Sequence, residues 1–109
     1  RDIMIRTILT LFTSPEQVDS VLELYRREAI LRESLTLTRA LESEIAVAMD
    51  GSGEIIVTAL WPDEAAYQEW IDHPRRSRVA PALSELLADV NIGVGRIYAV
   101  DDHTTHTEI

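Results

Sequence analysis

Apolar side chains recur at every second position over residues 3–12: Ile3, Ile5, Leu9 and Leu11 share one face with Thr7, while Met4, Ile8 and Phe12 fall on the other. A period of two in β-branched residues predicts a strand with apolar groups on both faces. Ser14-Pro15-Glu16-Gln17 reads as a helix start, with Ser14 capping, Pro15 at the first helical position and Gln17 completing a capping box. Val18, Val21, Leu22, Tyr25 and Ala29 then follow helical spacing opposite Glu16, Asp19, Glu23 and Arg27, which predicts an amphipathic helix to about Arg32. Residues 37–49 read as a second strand, Asp50-Gly51-Ser52-Gly53 as a hairpin turn and residues 54–61 as a third strand. Asp63 caps the next helix, which carries Ala66, Tyr67, Trp70 and Ile71 on one side and stops at Pro74. A further helix carries Val79, Leu83, Leu86 and Leu87, with Pro81 in its first turn, and residues 91–100 form the last strand.

The order β-α-β-β-α-β, with its second helix broken in two, predicts an α+β fold. It is the ferredoxin-like split βαβ arrangement, a four-stranded antiparallel sheet with helices on one face. Helices cover only that face. The other would expose Ile, Val and Leu side chains from several strands, which predicts a homodimer through the open sheet face. Residues 1–100 read as one domain and 101–109 as a flexible tail.

Composition narrows the function classes. The 109 residues are 46% apolar and 27% charged, enough for a core and against global disorder. A net charge of −9 disfavours nucleic acid and anionic membranes as partners. No apolar run reaches the roughly 20 residues of a membrane span, and the opening residues lack a signal-peptide pattern. With no cysteine, neither disulfides nor thiolate metal sites can form, which fits a cytoplasmic setting.

Candidate chemistry is sparse. His103 and His106 lie in the tail and read as exposed; His73 sits at a helix end, where the dipole favours it, so no metal site is expected. Gly93-Val94-Gly95-Arg96 lies in a strand rather than before a helix, so it reads as a bulge or a close-packed site, not a dinucleotide loop. Glu42 and Glu44 share a strand face and read as solvated. There is no nucleophile elbow. What stands out is aromatic. Trp61, Tyr67 and Trp70 gather where the third strand meets the next helix, with Tyr25 and Phe12 on neighbouring elements. Together they can line an apolar pocket, with Tyr67 as a hydrogen-bonding group; the alternative is plain core.

The run Val57-Thr58-Ala59-Leu60-Trp61-Pro62-Asp63-Glu64-Ala65-Ala66-Tyr67, continued through His73-Pro74-Arg75, resembles the antibiotic biosynthesis monooxygenase family over roughly residues 3–100. The resemblance implies a dimeric α/β barrel with one pocket per subunit. It also implies oxygenation of a small phenolic, quinol or anthrone-type substrate by O2 with no cofactor. An electron-rich phenolate itself reduces O2, leaving the protein to bind, orient and handle protons. The haem-degrading branch of the family needs an Asn, a Trp and a His where this chain has Thr7, Trp70 and Ala80, so haem degradation is not expected. The quinol-oxidising branch has the Trp and Tyr matched by Trp61 and Tyr67, but its Asn and Arg fall at Val57 and about Ala80, with Arg78 nearby. With that resemblance, Trp61 and Tyr67 are expected to be catalytic with His73 as proton partner, and the aromatic grouping makes Phe12, Tyr25 and Trp70 the expected substrate-binding wall. Two other readings stand beside it: an isomerase or decarboxylase on the same scaffold, and a non-catalytic ligand-binding dimer, which a pocket closed by Trp61 and Trp70 would favour.

Overall fold

The computed structural model describes residues 3–77, 91–92 and 95–106. The helix expected around residues 79–87, with Ala80 and Arg78, lies outside them. Five strands make one antiparallel sheet: β1 (Ile5–Phe12), β2 (Glu42–Val47), β3 (Glu54–Trp61), β4 (Asn91–Ile92) and β5 (Arg96–Ala99). Their order is β2-β3-β1, with β4 and β5 both paired to β1. This is the expected ferredoxin-like sheet. Within one chain it is open, so the barrel of the sequence reading is not closed by this chain alone.

The last strand comes in two pieces. Ile92 stands opposite Leu11 but Arg96 opposite Ile8, so the pairing shifts by one residue between them. The stretch between them, where the glycines suggested a bulge or close packing, includes residues 93–94, which lie outside the described residues.

On the helix-facing side, Ile5, Thr7, Leu9 and Leu11 align with Trp61, Ala59, Val57 and Ile55. Two clusters fill this layer. One comprises Ile5, Ala59, Trp61, Ala66 and Trp70, and the other Leu11, Val21, Tyr25 and Ile55.

The first helical region departs from expectation at both ends. Ser14 makes no side-chain cap bond, and the chain enters through a 3-10 turn, Pro15–Gln17, closed by the Gln17 N–H on the Ser14 carbonyl at 3.0 Å. One helix was expected to about Arg32. Instead α1 (Val18–Arg27) ends and α2 (Ile30–Leu37) begins around Ala29, whose φ of 51° is left-handed. The break has a packing reason. In a straight continuation Ile30 would fall opposite the buried stripe of Val21, Leu24 and Tyr25. After the break it packs on the core, against both clusters. The second strand therefore starts at Glu42 rather than at Leu37.

The hairpin forms as expected, with Gly51 at φ 74° and Gly53 at φ 88°. Inside it the Ser52 N–H donates to Asp50 Oδ1 at 2.9 Å. Hydrogen bonds from the Ser52 hydroxyl and backbone hold the Asp50 carboxyl below its ordinary value of 3.8. A depressed folded-state pKa means that the stabilisation is present above the unfolded value and lost as pH falls through the folded one. Carboxyl NMR titration of Asp50 is expected to give a midpoint below 3.8, moving upward in Ser52→Ala.

The open face is more mixed than the pattern implied. Ile45, Val47 and Val57 turn to the helices and pack on the core. By register the open face carries Arg6, Ile8, Thr10 and Phe12, then Leu60, Thr58, Ile56 and Glu54, then Glu42, Glu44 and Ala46, with Arg96 and Tyr98 on β5. Leu60 is only 2% exposed, between Arg6 and Glu42, which approach each other to 3.7 Å. No helix among the described residues is long and apolar enough to cross a membrane.

Candidate functional site

Local sequence places the aromatic group. β3 ends at Trp61, Pro62 follows, and Asp63 starts α3 (Glu64–Asp72) by accepting the Ala66 N–H at 2.8 Å. That cap satisfies one of the free N–H groups of the first turn. The same carboxylate, with Glu69, grips Arg39 at 3.0 and 2.9 Å. Glu69 and then Asp63 raise the Arg39 pKa above its ordinary value. The loop before β2 is thereby tied to α3.

Once α3 starts at Glu64, Ala66 and Trp70 face the sheet, and Ala66 is fully buried. Trp61 is 1% exposed and Trp70 8%. The Trp61 and Tyr67 rings lie 5.4 Å apart, tilted by 57°, within the range of favourable aromatic pairs. The Trp61 Nε1–H donates to Thr7 Oγ1 at 3.0 Å. Tyr67 is half-buried, and its hydroxyl lies 3.8 Å from where a Cβ on Gly95 would stand.

His73 ends α3. Its N–H bonds the Trp70 carbonyl at 3.1 Å, its ring lies 6.3 Å from that of Trp70, and its Nδ1 accepts the Arg75 N–H at 3.1 Å. That last bond leaves Nε2 as the nitrogen able to carry the ring proton. Helix α4 (Pro74–Ser77) follows, and Arg75 reaches back to Glu33 of α2 at 2.6 Å.

Of the six candidate residues, four come together: Trp61, Tyr67, Trp70 and His73. Tyr25 and Phe12 do not join them. Tyr25 packs in the other cluster, with Leu11, Val21 and Ile55. Phe12 is 48% exposed, on the open face and at the far end of β1 from the strand pair Ile5↔Trp61. Among the described residues, no three His, Asp or Glu side chains are grouped to hold a metal ion.

Sequence reasoning missed Thr7 and Gly95 as parts of this site. Thr7 had a signal, as a polar residue on the strand face otherwise formed by Ile5, Leu9 and Leu11, opposite a Trp whose buried N–H needs an acceptor. Removing that acceptor has a definite cost. Thr7→Val is expected to lower stability by about 2 kcal/mol, since it strands a buried donor. Thr7→Ser should recover most of the loss, and urea unfolding of the three proteins checks it.

No protein-family model matches the chain, and no curated protein matches it. Solved structures do. An antibiotic biosynthesis monooxygenase is 22% identical, with 92% of this chain and 99% of that one covered and a TM-score of 0.66. SnoaB, a cofactor-independent oxygenase from Streptomyces nogalater, is 13% identical, with coverage of 93% and 96% and a TM-score of 0.67. A dimeric ferredoxin-like protein from an uncultured marine organism is 12% identical, with coverage of 94% and 100% and a TM-score of 0.78. At these identities the likeness is one of fold, and the chain has the fold of the antibiotic biosynthesis monooxygenases.

Proposed function

We propose that this chain is a cofactor-independent monooxygenase, a cytoplasmic homodimer that oxidises a small phenolic, quinol or anthrone-type substrate with O2. The observation that carries the reading is the Trp61–Tyr67 pair, held by Thr7 and with its Tyr67 hydroxyl beside Gly95, on a scaffold that a cofactor-independent oxygenase also uses.

For an anthrone-type substrate the electrons balance without an added reductant. Deprotonation gives an electron-rich phenolate, which passes electrons to O2. The ring CH2 becomes a ketone, one oxygen atom enters the product and the other leaves as water. Trp61 shapes the apolar wall and Trp70 packs behind it. Tyr67 hydrogen-bonds the substrate oxygen, and His73 exchanges the proton. The protein's contribution is orientation and the stabilisation of developing charge.

A second reading, a ligand-binding dimer without turnover, is favoured by one observation: Trp61 and Trp70 are packed into the core. Oxygen uptake by metal-free protein separates the two, measured with hydroquinones, naphthoquinols and anthrones and no added cofactor. Uptake above the uncatalysed rate, lowered in Trp61 and Tyr67 variants, supports catalysis. Saturable quenching of tryptophan fluorescence by a panel member, with no uptake from any, would replace it with the binding reading.

A further inference from the structure

The open face of the sheet is ordered by charge. One row across it reads Arg96, Ile8, Thr58, Glu44, and the next reads Tyr98, Arg6, Leu60, Glu42. In these two rows arginines occupy the β5 and β1 side and glutamates occupy β2, and Glu54 stands apart at the far end of β3. The centre, on β1 and β3, carries Ile8 and Ile56, while Leu60 is buried between Arg6 and Glu42. An apolar centre with a charged rim is the make-up of a protein interface. Both rim groups are positioned. The Arg96 guanidinium lies 5.4 Å from the Tyr98 ring centre, and Glu44 accepts a hydrogen bond from the Thr58 hydroxyl at 3.3 Å. Arg96 and Glu44 are both exposed.

With the strands of the two copies aligned, a second copy can cover this face in two symmetric ways. If the two-fold axis runs across the strands, β2 lies over β2 and β5 over β5, and each edge meets its own charge. If the axis runs along the strands through the sheet centre, each row is read in reverse by the other copy, and β5 lies over β2. We propose the second arrangement, in which Arg96 faces Glu44 of the partner subunit and the partner's Arg96 faces Glu44. Face-to-face sheets stand about 10 Å apart, a gap that an Arg and a Glu side chain can span together. Like charges across an interface are strongly disfavoured, and this selects one axis over the other. The inference rests on the homodimer of the proposed function and adds its geometry.

Charge reversal tests it by sedimentation equilibrium, with circular dichroism to check folding. R96E alone sets two glutamates together at each contact, and E44R alone sets two arginines together. Each is expected to weaken self-association about tenfold or more. An equal mixture of R96E and E44R should form heterodimers, and the R96E/E44R double variant should recover wild-type association, since both restore opposite charges. The wild-type dimer should weaken as salt is raised. Single variants that self-associate as well as wild type, or an R96E–wild-type heterodimer tighter than the wild-type homodimer, would overturn the proposed axis while leaving the dimer intact. A wild-type chain that stays monomeric at every concentration would remove the dimer itself, and the axis with it.

Discussion

Gly53→Ala is expected to destabilise the fold by about 3 kcal/mol or more, while Gly51→Ala, two residues away, costs about 1 kcal/mol. Both glycines have positive φ, 74° at Gly51 and 88° at Gly53, so conformational strain is common to the two. Surroundings separate them. A Cβ at Gly51 meets nothing within 4 Å, whereas one at Gly53 would fall inside the contact distance of the Thr13 carbonyl and close to the Pro15 nitrogen. Those are backbone atoms and cannot swing aside. The Gly53 carbonyl also accepts the Thr13 N–H at 3.2 Å, which ties the hairpin to the end of β1. Relieving the clash means losing that bond and shifting the entry to α1. Paired urea titrations of the two variants against wild type measure the difference. Equal losses would show that strain alone acts at Gly53.

The parts of this fold legible in the sequence are those fixed by neighbouring residues. β3 runs over Glu54–Trp61 as its apolar run and flanking turn residues require, and Asp63 caps α3 as its position predicts. Signals failed where tertiary packing decided. An alanine carries no mark of left-handed backbone, yet Ala29 adopts it because that turns Ile30 onto the core. Leu37 looked like the start of a strand. Instead α2 runs to Leu37, and the Thr38 hydroxyl, bonded to the Ser34 carbonyl and accepting the Ala40 N–H, closes the turn beyond it.

The candidate site divides in the same way. Trp61, Tyr67, Trp70 and His73 are close in sequence, and strand, cap and helix bring them together without any long-range decision. Tyr25 and Phe12 had only their aromaticity to recommend them, and register sends them elsewhere, Phe12 opposite Glu54 and Tyr25 beside Leu11. Thr7 joins the site because β1 and β3 pair with Ile5 opposite Trp61. That long-range fact aims the indole N–H at a residue 54 positions away.

Tyr67→Phe is expected to lower kcat/KM for an accepted substrate by about 10- to 100-fold, the value of one hydrogen bond to a charged oxygen. Phenylalanine keeps the ring that packs 5.4 Å from Trp61, so folding should change little and the loss can be assigned to the hydroxyl. Gly95→Ala approaches the same hydroxyl from the other side. Its added Cβ would stand 3.8 Å from the Tyr67 oxygen, an ordinary contact that leaves the fold intact but, on the proposed function, crowds the substrate oxygen that Tyr67 would bind. Gly95→Ala is therefore expected to raise KM several-fold while kcat falls less, whereas Tyr67→Phe should act mainly on kcat, because the bond to a developing phenolate matters most as charge accumulates. Steady-state oxygen uptake by both variants and by the double variant provides the check. If the hydroxyl and Gly95 serve one substrate oxygen, the two effects will be less than additive. If Tyr67→Phe turns over at the wild-type rate, Tyr67 is a packing residue, and the proton chemistry lies elsewhere in the chain.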